Sequence, residues 1–109
     1  MNAEQEKKFA IGVDSNQNWI KPGLILTSML KRVDLAVYNA IEMVKKQQFQ
    51  PGKLSVGLKE QMIDFSFDEY NKVILTDEIR KKATELKTMI LNGRIKVPDY
   101  YELMKKKKG

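Results

Sequence analysis

Phe9-Ala10-Ile11-Gly12-Val13-Asp14-Ser15-Asn16-Gln17 is the stretch on which the reading of this chain turns. Its first five residues are apolar without alternation, and the run closes on an acid. A short run that is apolar on both faces suits a buried parallel strand better than a half-exposed one. Ser15-Asn16-Gln17-Asn18 is polar turn chemistry, and Pro22-Gly23 is a second loop signal. A loop at the carboxyl end of a parallel strand is where open α/β sheets place their ligands.

Outward from this stretch, Leu24-Ile25-Leu26-Thr27-Ser28-Met29-Leu30 reads as an extended crossing segment or short strand. The period then changes: Val33, Val37, Ala40, Ile41 and Val44 make one apolar face of a helix over 33–48, with Asp34 in its first turn. Gln50-Pro51-Gly52 is expected to stop it. Alternation of Leu54, Val56 and Leu58 with polar or small residues predicts a strand over 54–58, and Ile63, Phe65 and Phe67 continue the pattern. A second helix is expected over 76–91, with Thr76 as N-cap, Ile79, Ala83, Leu86 and Ile90 on its buried face, and Asn92-Gly93 as its stop. Ile95-Lys96-Val97 reads as a short edge strand.

The chain has 109 residues, 42% apolar and 31% charged, which allows one small globular domain. It has no cysteine and no histidine. Thiolate metal sites, cysteine nucleophiles and the usual general base are therefore excluded, and no catalytic or metal site and no cofactor is expected. No apolar run approaches the length that spans a bilayer, and residues 1–6 lack a signal-peptide pattern. Of the net charge of +6, Lys105 to Lys108 account for four, leaving the body nearly balanced. Residues 99–109 are expected to be a basic, disordered tail.

Strands alternating with helices predict an α/β fold. Two helices cannot cover both faces of a parallel sheet, so the chain reads as part of a larger sheet system. Ala10-Ile11-Gly12-Val13-Asp14-Ser15-Asn16-Gln17 and Leu26-Thr27-Ser28-Met29-Leu30-Lys31-Arg32-Val33-Asp34, with Pro22-Gly23 between them, resemble two motifs of the basic membrane protein family, "IGVDSDQ" and "LTSMVKRVD". Ala36-Val37-Tyr38, the 52–57 stretch and Asn92-Gly93-Arg94-Ile95-Lys96-Val97-Pro98 are similar to the family as well, so the likeness covers residues 9–98. Members of that family are substrate-binding lipoproteins of bacterial ABC importers, including the purine nucleoside receptor of spirochaetes.

The resemblance implies a fragment of a type I periplasmic-binding-protein fold, parallel strands flanked by helices, with residues 1–98 as its C-terminal portion. Residues 9–14 would be a strand of the second lobe ending at the ligand cleft. Residues 25–31 would cross to the first lobe, 54–58 would lead back, and 76–91 would cover the second lobe. It further implies a nucleoside or similar small molecule as ligand, an ABC permease as partner of the full-length protein, and an extracytoplasmic lipoprotein location at the cell membrane. With no signal peptide in this chain, its own location stays open.

Four residues are candidates for ligand binding. Asp14 could accept two hydrogen bonds from neighbouring hydroxyls, as ribose recognition requires, and the resemblance implies that role; the other reading is a cap for its own turn. Lys31 could offer three donors to ligand hydroxyls and balance Asp14, or it could be a solvated lysine beside Arg32. Gln17 and Ser28 are weaker candidates, because polar residues near turns are usually local caps. Trp19 could stack on a base or anchor the loop. Asn16 departs from the family by replacing an acid, and residues 61–66 replace a more glycine-rich stretch.

The expected function is non-catalytic ligand binding, with ribose and base held by hydrogen bonds in an interlobe cleft and affinity weak or lost in this chain alone. The alternatives are an oligomerising or domain-swapped structural unit without ligand, and a nonspecific nucleic-acid-binding basic module; no specific nucleic-acid partner is expected.

Overall fold

The middle strand of the sheet, β2 (Ile25–Lys31), carries the fold. On one side it pairs in parallel with β1 (Ala10–Asp14), Gly12 opposite Ser28 and Asp14 opposite Leu30, with an irregularity between Ala10 and Ile11. On the other it pairs antiparallel with β3 (Ile63–Phe65), Leu30 opposite Asp64 and Lys31 opposite Ile63. The computed structural model describes residues 2–108, in which a short α1 (Asn2–Gln5) precedes β1. The chain divides into two compact units, one up to Asp77 and one from Glu78 onward.

The connection from β1 to β2 is ten residues, 15–24, at the short end of what a parallel crossover needs. A single 3-10 turn, Asn18–Ile20, replaces the usual crossover helix. Backbone groups in such a loop need partners, and polar side chains supply them. Among the described residues the buried apolar side chains are Ile25, Met62 and Leu75, whereas Asn18, Ser28 and Asn71 are buried completely and Ser66 nearly so. Polar groups tolerate such burial only when bonded, and every one of these is. Asn18 Nδ2 donates to Ser66 Oγ at 2.9 Å and to Asp68 Oδ2 at 3.0 Å, while its Oδ1 accepts from Ser28 Oγ at 2.8 Å. Asn71 Nδ2 donates to the carbonyls of Leu26 and Ser66, and its Oδ1 accepts from the Asp68 amide. The network ties the crossover loop and the 66–71 segment to β2 through residues about 50 positions apart.

Helix α2 (Val33–Lys45) follows β2 directly. It ends earlier than Pro51-Gly52 would dictate: Gln47 adopts φ 56°, the Gln48 amide reaches Met43 O at 2.8 Å and the Gln47 amide reaches Val44 O at 3.0 Å. This is a Schellman stop made with glutamine where glycine is usual. The apolar face expected to be buried is open: Val33, Val37, Ile41 and Val44 are all more than half exposed. β1 is likewise uncovered on its Ile11 and Val13 face, as an edge strand without a helix over it.

Two expected strands are absent. Residues 54–58 do not pair; Leu54 is 77% exposed, and the chain turns at 57–61, where the Met62 amide bonds Gly57 O and Gln61 takes φ 60°. Alternation marks a strand only when a neighbour offers an open edge, and β3 fills that place instead. Residues 95–97 do not pair either; the amides of Arg94 and Ile95 close onto Met89 O at the end of α3 (Asp77–Leu91). That helix begins one residue after Thr76 and stops at Gly93, φ 73°, as expected. Its apolar face is only partly covered, with Ile79 and Leu86 exposed.

Within residues 99–109, expected as a disordered basic tail, the structure forms α4 (Tyr100–Lys108). Asp99 starts it, its Oδ1 accepting the Tyr101 amide at 2.8 Å and its carbonyl the Leu103 amide. Glu102 in the first turn and the lysines in the last suit the helix dipole.

Candidate functional site

β1 and β2 run parallel, so their carboxyl ends lie on one edge of the sheet, and each ends in a charged residue. Asp14 closes β1 and Lys31 closes β2. Lys31 Nζ stands 2.6 Å from Asp14 Oδ1, with both side chains more than half exposed. An ion pair so exposed adds little stability, because water screens it and ordering a lysine is costly. Asp14 also holds φ 75°, a left-handed conformation that aspartate tolerates better than most residues.

The neighbouring cation does not compete for Asp14. Arg32 forms a fork onto Asp34, Nε to Oδ1 at 3.0 Å and Nη2 to Oδ2 at 2.8 Å. The guanidinium hydrogen bond holds the Asp34 carboxyl down at about 2, and Asp34 raises Arg32 in return. Lys31 and Arg32 are thus adjacent in sequence, yet each faces its own carboxylate. Beside them a groove of about 260 Å³ is lined by Lys31, Arg32, Val33, Ala36, Val56, Met62 and Ile63: an apolar floor with cations at its rim. A larger hollow of about 470 Å³ is lined by Tyr38, Ile41, Glu42 and Lys45 of α2 and by Lys46 at its C-cap.

Ser28 and Gln17 sit behind the pair rather than beside it. Ser28 has no accessible surface; its Oγ accepts from the Gln17 amide at 3.0 Å and donates to Asn18 Oδ1. Gln17 is half-buried and lies over Gly12, where an added Cβ would collide with Ser28 Oγ and stand 3.0 Å from Gln17 Cβ and Oε1. Gly12 is what allows the loop to fold down onto β2. Trp19 is exposed, pinned to its own loop by Nε1 donating to Asn16 O at 3.1 Å.

The residue that replaces a family acid has a structural partner. Asn16 Nδ2 donates to Asp68 Oδ2 at 2.6 Å, and Asn16 Oδ1 accepts the Asn18 amide. Partial burial pushes the Asp68 carboxyl up, but donors from Asn16, the Tyr70 amide and Asn18 outweigh it and leave it below its ordinary value. Asp68, Ser66 and Asn71 were not candidates in the sequence. Only their partners, 38 to 52 positions upstream, explain them. Among the described residues no three His, Cys, Asp or Glu side chains gather as a metal site, and no helix is long and apolar enough to cross a membrane.

A family profile described as ABC transporter substrate-binding protein, PnrA-like, matches residues 2–100. Among individual relatives, an uncharacterised lipoprotein of Pyrococcus furiosus is 54% identical over 54 residues, covering 50% of this chain and 14% of the relative. Basic membrane protein A of Borreliella burgdorferi is 32% identical over 100 residues, covering 90% of this chain and 29% of that protein. The crystal structure of an ABC transporter solute-binding protein from Aeropyrum pernix superposes with a TM-score of 0.63 at 29% identity, over 91% of this chain and 36% of that one. The chain therefore spans under two fifths of each of these proteins, and its α/β fold corresponds to that part of a solute-binding protein. The match over nearly the whole chain establishes that it belongs to the PnrA-like, basic membrane protein family of ABC transporter substrate-binding proteins.

Proposed function

We propose that this chain is a non-catalytic part of a nucleoside-binding receptor, in which Asp14 and Lys31 present an acceptor and donors to the hydroxyls of a ribose. The observation that supports this is the 2.6 Å pair at the shared carboxyl edge of two parallel strands. An exposed carboxylate and ammonium, already aligned, can exchange their mutual contact for hydrogen bonds with two ligand hydroxyls, the carboxylate accepting and the ammonium donating. Ser28 and Gln17 act behind them, fixing the loop, with Gln17 the nearer to solvent. In a full-length protein the ligand would be handed to an ABC permease from an extracytoplasmic lipoprotein.

One wall of a site gives little affinity, since ligand sites bury most of the ligand surface. Dissociation constants near or above about 1 mM are expected for this chain alone. Titrating the isotopically labelled chain with inosine, ribose and hypoxanthine tests the reading by NMR. Inosine and ribose should shift the Asp14, Gln17 and Lys31 resonances, hypoxanthine much less, and Asp14→Asn should abolish the response. Shifts confined to other residues would refute the site, and micromolar affinity by calorimetry would refute the expected weakness.

A second reading, self-association, is favoured by the open Val33, Val37, Ile41 and Val44 face of α2. Sedimentation at rising concentration should show dimers that Val37→Glu with Ile41→Glu disperses. A monomer throughout would exclude it.

A further inference from the structure

Helix α4 lies almost wholly beyond residue 100, where the family match ends. Its nine residues span roughly 13 Å at the usual helical rise. Tyr100, Leu103 and Met104 fall at positions i, i+3 and i+4 and share one face. Tyr100 is 66% and Leu103 49% exposed, and Tyr101, packed edge-on against Tyr100 with centroids 5.8 Å apart, is more exposed still. Four lysines complete the helix. Lys105 bonds Glu102 at 3.0 Å, whereas Lys106, Lys107 and Lys108 meet no carboxylate among the described residues.

Solubility alone would not ask for exposed tyrosines and leucine next to concentrated charge. Aromatic rings with a polar tip favour the boundary between hydrocarbon and headgroups, and lysines can spread their stems along that boundary while their ammonium groups meet lipid phosphate. We propose that α4 is an interfacial segment that docks the chain on an anionic membrane surface, Tyr100 and Leu103 entering the headgroup layer and Lys106 to Lys108 contacting acidic lipids. A single-stranded nucleic acid could also use tyrosines and lysines. The grouping favours a membrane: the lysines crowd into one turn of the helix rather than tracking a backbone, and a leucine and a methionine share the tyrosine face.

Co-sedimentation of the full chain with phosphatidylcholine vesicles, with and without about 30% phosphatidylserine, tests this. Binding should require phosphatidylserine and should fall about 10²-fold in K106Q/K107Q/K108Q, as three lysines near an anionic surface imply. Y100S/L103S should lose roughly tenfold while keeping all the charge. Raising salt from about 0.05 M to 0.5 M should release the unmodified chain, so the charge dependence is readable even if a variant misfolds. Equal binding to neutral vesicles, no loss in the lysine variant, or full binding by Y100S/L103S would overturn the proposal. So would displacement from vesicles by a single-stranded oligonucleotide at lower concentration than soluble phosphoserine.

Discussion

Replacing Asn16 by aspartate exposes what anchors the candidate site. In the native chain Asn16 Nδ2 donates to Asp68 Oδ2 at 2.6 Å, a hydrogen bond to a charged acceptor, and the same oxygen accepts Asn18 Nδ2 at 3.0 Å. Hydrogen bonds of that kind contribute about 1.5–3 kcal/mol. Asn16→Asp removes the donor and sets two carboxylates facing each other; at water-like screening, suited to the exposed side of the pair, their repulsion is about 1 kcal/mol. Together the loss at neutral pH is about 2.5–4 kcal/mol, read as a shift in the urea midpoint with unchanged slope. Like charges raise each other's pKa, so lowering the pH toward about 4 should shrink the deficit relative to the native chain. Adding Asp68→Asn to Asn16→Asp removes the repulsion and should recover part of the loss, giving a non-additive double-mutant cycle. The loop that moves with Asn16 begins next to Asp14, so the Asp14 and Gln17 resonances should shift as well. An Asn16→Asp chain as stable as its parent at pH 7, with an additive cycle, would refute the reasoning.

Gly12→Ala should cost about 1–3 kcal/mol by thermal melting, because the new methyl meets Ser28 Oγ, which two hydrogen bonds and complete burial hold in place. Gln47→Gly should stabilise the chain by about 0.5 kcal/mol, relieving a left-handed glutamine at the end of α2, while Gly93→Ala at the equivalent stop of α3 should destabilise by about 1 kcal/mol. Acid should weaken the fold in a defined window. Asp68 is held below its ordinary 3.8, so the unfolded chain takes up this proton first as pH falls. The stability Asp68 contributes is present above 3.8 and drains away below it; denaturation midpoints should be flat from about pH 7 to 5 and fall beneath 4, less steeply in Asp68→Asn.

What the sequence made legible was local. The 9–14 run ended in a strand at Asp14, and Thr76, Asn92 and Gly93 bounded α3, because capping and apolar runs act over a few residues. Asp14 and Lys31 were each legible as candidates, but the resemblance had 25–31 crossing to another lobe; the structure makes 25–31 the parallel neighbour of 10–14 and so brings the two strand ends together. The polar core was not legible. Asn18, Ser66 and Asn71 look like ordinary turn residues, and their burial depends on partners in distant segments. Nor did periodicity foretell which faces would stay open. Val37 and Ile41 have the spacing of a buried stripe, yet nothing among the described residues covers them, as for a helix whose complement lies outside this part of the fold. Leu54, Val56 and Leu58 alternate properly and form no strand, since pairing needs an available edge as well as a pattern.

Interstrand NOEs in the isotopically labelled chain bear most directly on the geometry beneath the proposed site. Parallel pairing should give contacts at the Gly12–Ser28, Val13–Met29 and Asp14–Leu30 positions, together with NOEs from the Lys31 ε-methylene to the Asp14 β-protons. A register that separates Asp14 from Lys31, or contacts running antiparallel along 10–14 and 25–31, would contradict it.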